Sequence, residues 1–108
     1  MSEAVTAARR RVVAQGDDVK ATGETFADKL GNVELSENRI AIRLGNSDRV
    51  TAAYHEVVAE LQRVSTKFWE AQGAVDPNAQ EEVNKLIDVA KDAQRKYLES
   101  ARELVNRN

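Results

Sequence analysis

Val50, Tyr54, Val57, Leu61, Val64, Phe68, Ala71 and Val75 recur at alternating intervals of four and three residues. That rhythm is the seam of a helix lying against a near-antiparallel neighbour at a shallow angle, in the manner of a coiled coil. It pauses at Gly73-Ala74-Val75-Asp76-Pro77 and resumes through Ala79, Val83, Leu86, Ala90, Ala93, Tyr97 and Leu104. Two long helices joined by a short turn form a helical hairpin, and the rest of the chain has to pack around it. Asp76 is placed to cap the second of these helices, with Pro77 in its first position, where the missing N–H costs nothing.

Upstream, Val5, Val12, Val19 and Phe26 recur every seven residues, which predicts a first helix over about 3–30. Ser2 is its expected cap, and Glu3 suits the positive end of the helix dipole. Gly16 and Gly23 are read as weak points inside that helix, each costing about 1 kcal/mol against alanine. Gly31-Asn32 is its expected C-terminal cap. Between Asn32 and Asn46, Ile40, Ile42 and Leu44 alternate as in a strand, but a lone strand has nothing to pair with. Ile40 is in phase with the hairpin seam, so a helix from about Ser36 is favoured. It breaks near Gly45-Asn46 before Ser47 and Asp48 start the main helix; a short separate helix over 36–44 is the alternative. The expected architecture is all-α: an antiparallel three-helix bundle over 1–108, with helices at about 3–30, 36–72 and 77–106.

The chain of 108 residues suits one domain, and its 42% hydrophobic and 31% charged residues suit a soluble helical protein. Five glycines and one proline are too few for a turn-rich β fold. There is no cysteine, which removes thiol catalysis, disulfides and zinc–thiolate sites. No apolar run approaches the roughly 20 residues that span a bilayer, and no signal peptide is visible at Met1-Ser2-Glu3-Ala4. A cytoplasmic protein is expected, with export by a signal-peptide-independent route as the alternative. The net charge of −2, with both signs mixed throughout, gives no basic face for nucleic acid.

Little in the sequence points to catalysis. His55, the one histidine, lacks the Glu-x-x-His spacing of a bundle metal site and is expected to face solvent. No glycine-rich phosphate loop is present, and the carboxylates are interspersed with lysine and arginine. The expectation is a non-enzyme with no cofactor, no metal, no membrane or nucleic-acid partner and no evident small-molecule substrate. Arg9-Arg10-Arg11 is the only run of like charge; a solvated helix surface is expected, and a small anion or phosphate contact is the alternative. Trp69 lies off the seam near the turn. Either it packs on the first helix and closes the end of the bundle, or it anchors a partner. Val58, Ile87, Leu98 and Val105 are also off the seam: the first helix covers them, or they form an adhesive face.

A hairpin of this size, with a tryptophan near the bend and a glycine after it, resembles the WXG100 (ESX-type) secreted proteins. Here the motif is Trp69-Glu-Ala-Gln-Gly73 where that family has Trp-x-Gly, and Ala101 stands where its signal after Tyr97 would need Asp or Glu. The resemblance implies a secreted hairpin or a one-to-one secretion partner. Glu37-Asn38-Arg39-Ile40-Ala41 is similar to a short helical motif of LemA-family proteins. The leading expectation is a small interaction or adaptor protein acting through helix faces on a protein partner or as a homo-oligomer. Trp69, Val58, Ile87 and Leu98 are its candidate partner-binding residues. An enzyme or ligand carrier would instead require an apolar cavity beside His55 or Trp69.

Overall fold

A computed structural model describes residues 2–107; Met1 and Asn108, the ends of the expected domain, lie outside the described residues. The described residues are all-α, with four helices rather than the three expected: α1 (Ser2–Val13), α2 (Asp18–Leu44), α3 (Arg49–Ala71) and α4 (Pro77–Arg107). Among the described residues there is no strand, so Ile40, Ile42 and Leu44 are helical.

The extra helix comes from a corner at Ala14–Asp17. Gly16 takes φ +58°, the left-handed conformation that ends helices and that glycine enters without a Cβ penalty. Glu3 and Lys29 show the consequence. In one straight helix they would be about 39 Å apart, at 1.5 Å per residue. Here their side chains form an ion pair of 3.2 Å, so α1 and α2 are antiparallel. The seven-residue spacing of Val12 and Phe26 runs across the corner, and both are buried, but in two helices rather than one.

Two further expectations change with it. Gly31-Asn32 is no cap: α2 runs through it for 27 residues, because Leu30 and Val33 continue its buried face while Gly31 faces solvent. Residues 36–44 therefore end α2 instead of beginning the helix that follows. Ser2 is the first residue of α1 rather than a residue ahead of it, and its hydroxyl receives a hydrogen bond from Gln94 Nε2 of α4 at 3.0 Å.

The other boundaries follow local chemistry. The Gly45 N–H donates to Ala41 O at 2.8 Å and closes α2 at φ +87°. Asp48 caps α3 by accepting from Val50 N at 2.8 Å, and Asp76 accepts from Asn78 N at 2.8 Å just ahead of α4. Gln72, at φ +55°, turns the chain out of α3.

Cross-helix pairs set the register. Lys67–Glu82, Tyr54–Tyr97 and Arg49–Glu103 make α3 and α4 antiparallel, as the seam predicted. Phe26–Phe68 and Glu34–Gln62 do the same for α2 and α3, and Arg9–Asn84 for α1 and α4. Each helix thus runs opposite to both neighbours, with α2 and α4 on a diagonal and not packed together. The body measures 50 × 22 × 18 Å, and one core runs through it, built on Phe26, Tyr54, Leu61, Val64, Phe68 and Ile87.

The two glycines make opposite predictions. At Gly31 an added Cβ meets nothing and the backbone is helical, so Gly31→Ala is expected to stabilise by about 0.5–1 kcal/mol. Gly16→Ala forces alanine into the left-handed region and is expected to destabilise by about 1–2 kcal/mol. Urea unfolding of the two variants checks both signs.

Candidate functional site

Trp69 stands in the last turn of α3, 80% exposed. At that exposure it does not close the end of the bundle, although part of the segment expected as the first helix (3–30), now α2, lies opposite it. It borders a groove of about 560 Å³ between α2 and α3, walled by Val19, Gly23, Phe26 and Ala27 on one side and by Ser65, Phe68 and Trp69 on the other. Gln72 and Gly73 close the end of the groove, and the exposed Lys20 and Glu24 also line it.

Arg11 lies at its base and is 4% exposed. The arginine run is therefore not uniformly a solvated surface. Arg10 is exposed, Arg9 reaches Asn84 Oδ1 at 2.7 Å and Asp88 on α4, and Arg11 turns inward. Successive residues fan by about 100°, and Arg11 falls on the same face as Ala4, Ala7 and Ala8, which are buried. That periodicity was the signal for its burial; the run of like charge hid it.

The guanidinium is incompletely satisfied. Its Cζ lies 5.1 Å from the centroid of the Phe68 ring, within cation–π range. Nη2 donates to Gly73 O at 2.7 Å. Nη1 is buried and has no acceptor among the described residues. Nε lies 3.6 Å from where a Cβ on residue 23 would be, so glycine keeps that flank of the group open. Burial holds the Arg11 pKa below its ordinary value, yet arginine remains a cation in proteins. No carboxylate among the described residues pairs with it. A buried charge without a counter-ion costs several kcal/mol, and an unmade hydrogen bond adds about 1–3. The arrangement is chemically suited to holding an anion.

The other candidates fall elsewhere. Val58 (3% exposed) and Ile87 (0%) belong to the core with Ala4, Ala8 and Val12 of α1, so neither is presented to a partner. Leu98 is 42% exposed and Val105 71%, two turns apart on α4. His55 is exposed, its Nδ1 2.6 Å from Glu37 Oε1 of α2. Among the described residues no cluster of His, Asp or Glu could hold a metal ion, and no helix is long and apolar enough to cross a membrane.

Glu60 is the second buried charge. Its Oε1 accepts from Arg63 at 2.6 Å, one turn on, while Oε2 has no partner. The hollow beside it, about 200 Å³ between α3 and α4, is much smaller than the Trp69 groove. Tyr54 is held by its hydroxyl on Val33 O at 3.0 Å, and burial pushes its pKa up.

The chain matches no protein-family model, no curated protein and no solved structure, so geometry alone describes the site.

Exchanging Arg11 for an apolar residue of similar length separates folding from function. Arg11→Met gives up one hydrogen bond and the ring contact but removes an unpaired buried charge. The variant is expected to be as stable as the parent to within about 1 kcal/mol, or more stable. A loss above about 3 kcal/mol in denaturant unfolding would mean that the Phe68 and Gly73 contacts outweigh the desolvation.

Proposed function

We propose that the chain is a small, non-enzymatic helical interaction protein that acts through its helix faces, with Trp69 as the principal anchor. The observation that carries this reading is the exposure of a whole indole beside a groove walled by Phe26 and Phe68. Tryptophan is the residue type most enriched at binding hot spots, and truncating such an anchor costs about 2 kcal/mol or more. Leu98 and Val105, seven residues apart on one face of α4, form a separate apolar patch suited to self-association.

The alternative, a secreted hairpin or secretion partner of the WXG100 kind, draws support from the position of Trp69 at the bend of the α3–α4 hairpin. It is weakened by the core. Val58 and Ile87, which an isolated hairpin would have to bury against another chain, are covered here within the same chain. A hairpin already sheathed by its own α1 and α2 has less need of a companion in order to fold.

Capture experiments with tagged parent and Trp69→Ala protein test the leading reading. A partner retained by the parent and reduced at least about tenfold with the variant is the expected result. Equal retention by both proteins, or none by either together with a strictly monomeric state in light scattering, contradicts it.

A further inference from the structure

Arg11 is costly to bury and no carboxylate among the described residues neutralises it, so the groove above it is the place to look for what does. The charges around the groove are Arg11 and Lys20 against Glu24, which leaves one net positive charge. Phe68, Gly73 and Gly23, which the Arg11 side chain meets, are also groove lining, so the guanidinium sits among residues that a bound molecule would touch. The remaining walls are mainly apolar: Val19, Phe26, Ala27 and the indole of Trp69. A volume of about 560 Å³ lies within the usual range of small-molecule sites.

We propose that this groove binds a small organic acid, one carboxylate on a slender apolar body such as a medium-chain fatty acid, with the carboxylate received by the Arg11 guanidinium on its Gly23 flank and the body laid along Phe26, Phe68 and Trp69. A carboxylate carries the single negative charge that the groove lacks. A phosphate monoester carries about −1.5 to −2 and would leave excess charge against apolar walls and Glu24. The shape of the approach favours a slender molecule over a helix of another protein. Nη1 is shut off from solvent, while Nε lies on the side of the bare backbone of Gly23. On that flank an unbranched acid can approach the guanidinium, whereas a carboxylate on a helix is held back by the bulk of its own backbone. This goes beyond the reading of Trp69 as a protein anchor, and the two proposals fail separately.

Trp69 is the only tryptophan in the chain, so its fluorescence reports directly on the groove. The full chain is titrated with dodecanoate below its micellar concentration, in parallel with dodecanol and dodecyltrimethylammonium, and the stoichiometry is read by calorimetry. The expected result is a saturable blue shift with one dodecanoate per chain and affinity at least about tenfold above that of the alcohol or the cation. Arg11→Gln is expected to erase that preference. Gly23→Leu, which fills the groove beside Nε and keeps the arginine, is expected to abolish binding, with circular dichroism reporting that each variant is folded.

Absence of a saturable shift, equal binding of the alcohol, or an unchanged preference in folded Arg11→Gln overturns the proposal. If Arg11→Gln does not fold, undiminished dodecanoate binding by Gly23→Leu overturns it. So does binding of a peptide with a free C-terminal phenylalanine when dodecanoate does not bind. A partner captured through Trp69 in the absence of dodecanoate binding overturns this proposal and leaves the protein-interaction reading standing.

Discussion

The packing of α1 against the other helices rests on how little side chain it brings. Its inward face is Ala4, Ala7, Ala8 and Val12, all buried. Small residues let helix axes approach toward the lower end of the 8–10 Å range, so a twelve-residue helix fits into the space along α2 and α4. The bulk of the core comes from the other three: Phe26 and Leu30 from α2, Tyr54, Leu61 and Phe68 from α3, Ile87 from α4. A longer apolar side chain at position 4 or 8 would push α1 outward and uncover Val58 and Ile87. The one large side chain on that face is Arg11, and close approach carries its guanidinium onto the Phe68 ring.

That placement links the packing of α1 to the groove. The cation is buried not because its own neighbours satisfy it but because α1 packs well everywhere else. The free energy of burying the alanine face and Val12 holds an unfavourable group where a surface arginine would never stay. Sites of this sort commonly carry a local cost that the surrounding structure over-determines, since a group already satisfied within the fold has nothing left for a ligand. Trp69 represents the same trade in apolar form: an indole left in water on a chain with only two phenylalanines and two tyrosines with which to build a core.

The second half of the molecule was legible in the sequence because its signals are local and agree with one another. The four-and-three spacing from Val50 to Phe68, Asp48 as a cap and the Asp76-Pro77 start each point to the same boundaries, and Gly45 ends the preceding helix where its sequence places it. The first half misleads for a definite reason. Val5, Val12, Val19 and Phe26 keep a seven-residue interval through a corner, and an interval in sequence does not record that the chain has reversed. Gly16 was counted as an expense within a helix when it is the turn, while Gly31, which looked like a stop, is an ordinary helical position. At the candidate site Trp69 stood out by composition alone. Arg11 did not, because three adjacent arginines look solvated until the alanines at 4, 7 and 8 are used to decide which of the three points inward.

Everything at the groove depends on α1 folding back on α2. The chain has no cysteine, so a pair introduced as Glu3→Cys and Lys29→Cys takes two nitroxide labels without interference. The electron–electron distance between them tests the account most directly. Folding back at Gly16 predicts a separation below about 20 Å, the span of two adjacent helices with their labels. A distribution centred near 39 Å, the length of an unbroken helix between these positions at about 1.5 Å per residue, would contradict it and remove Arg11 from the groove.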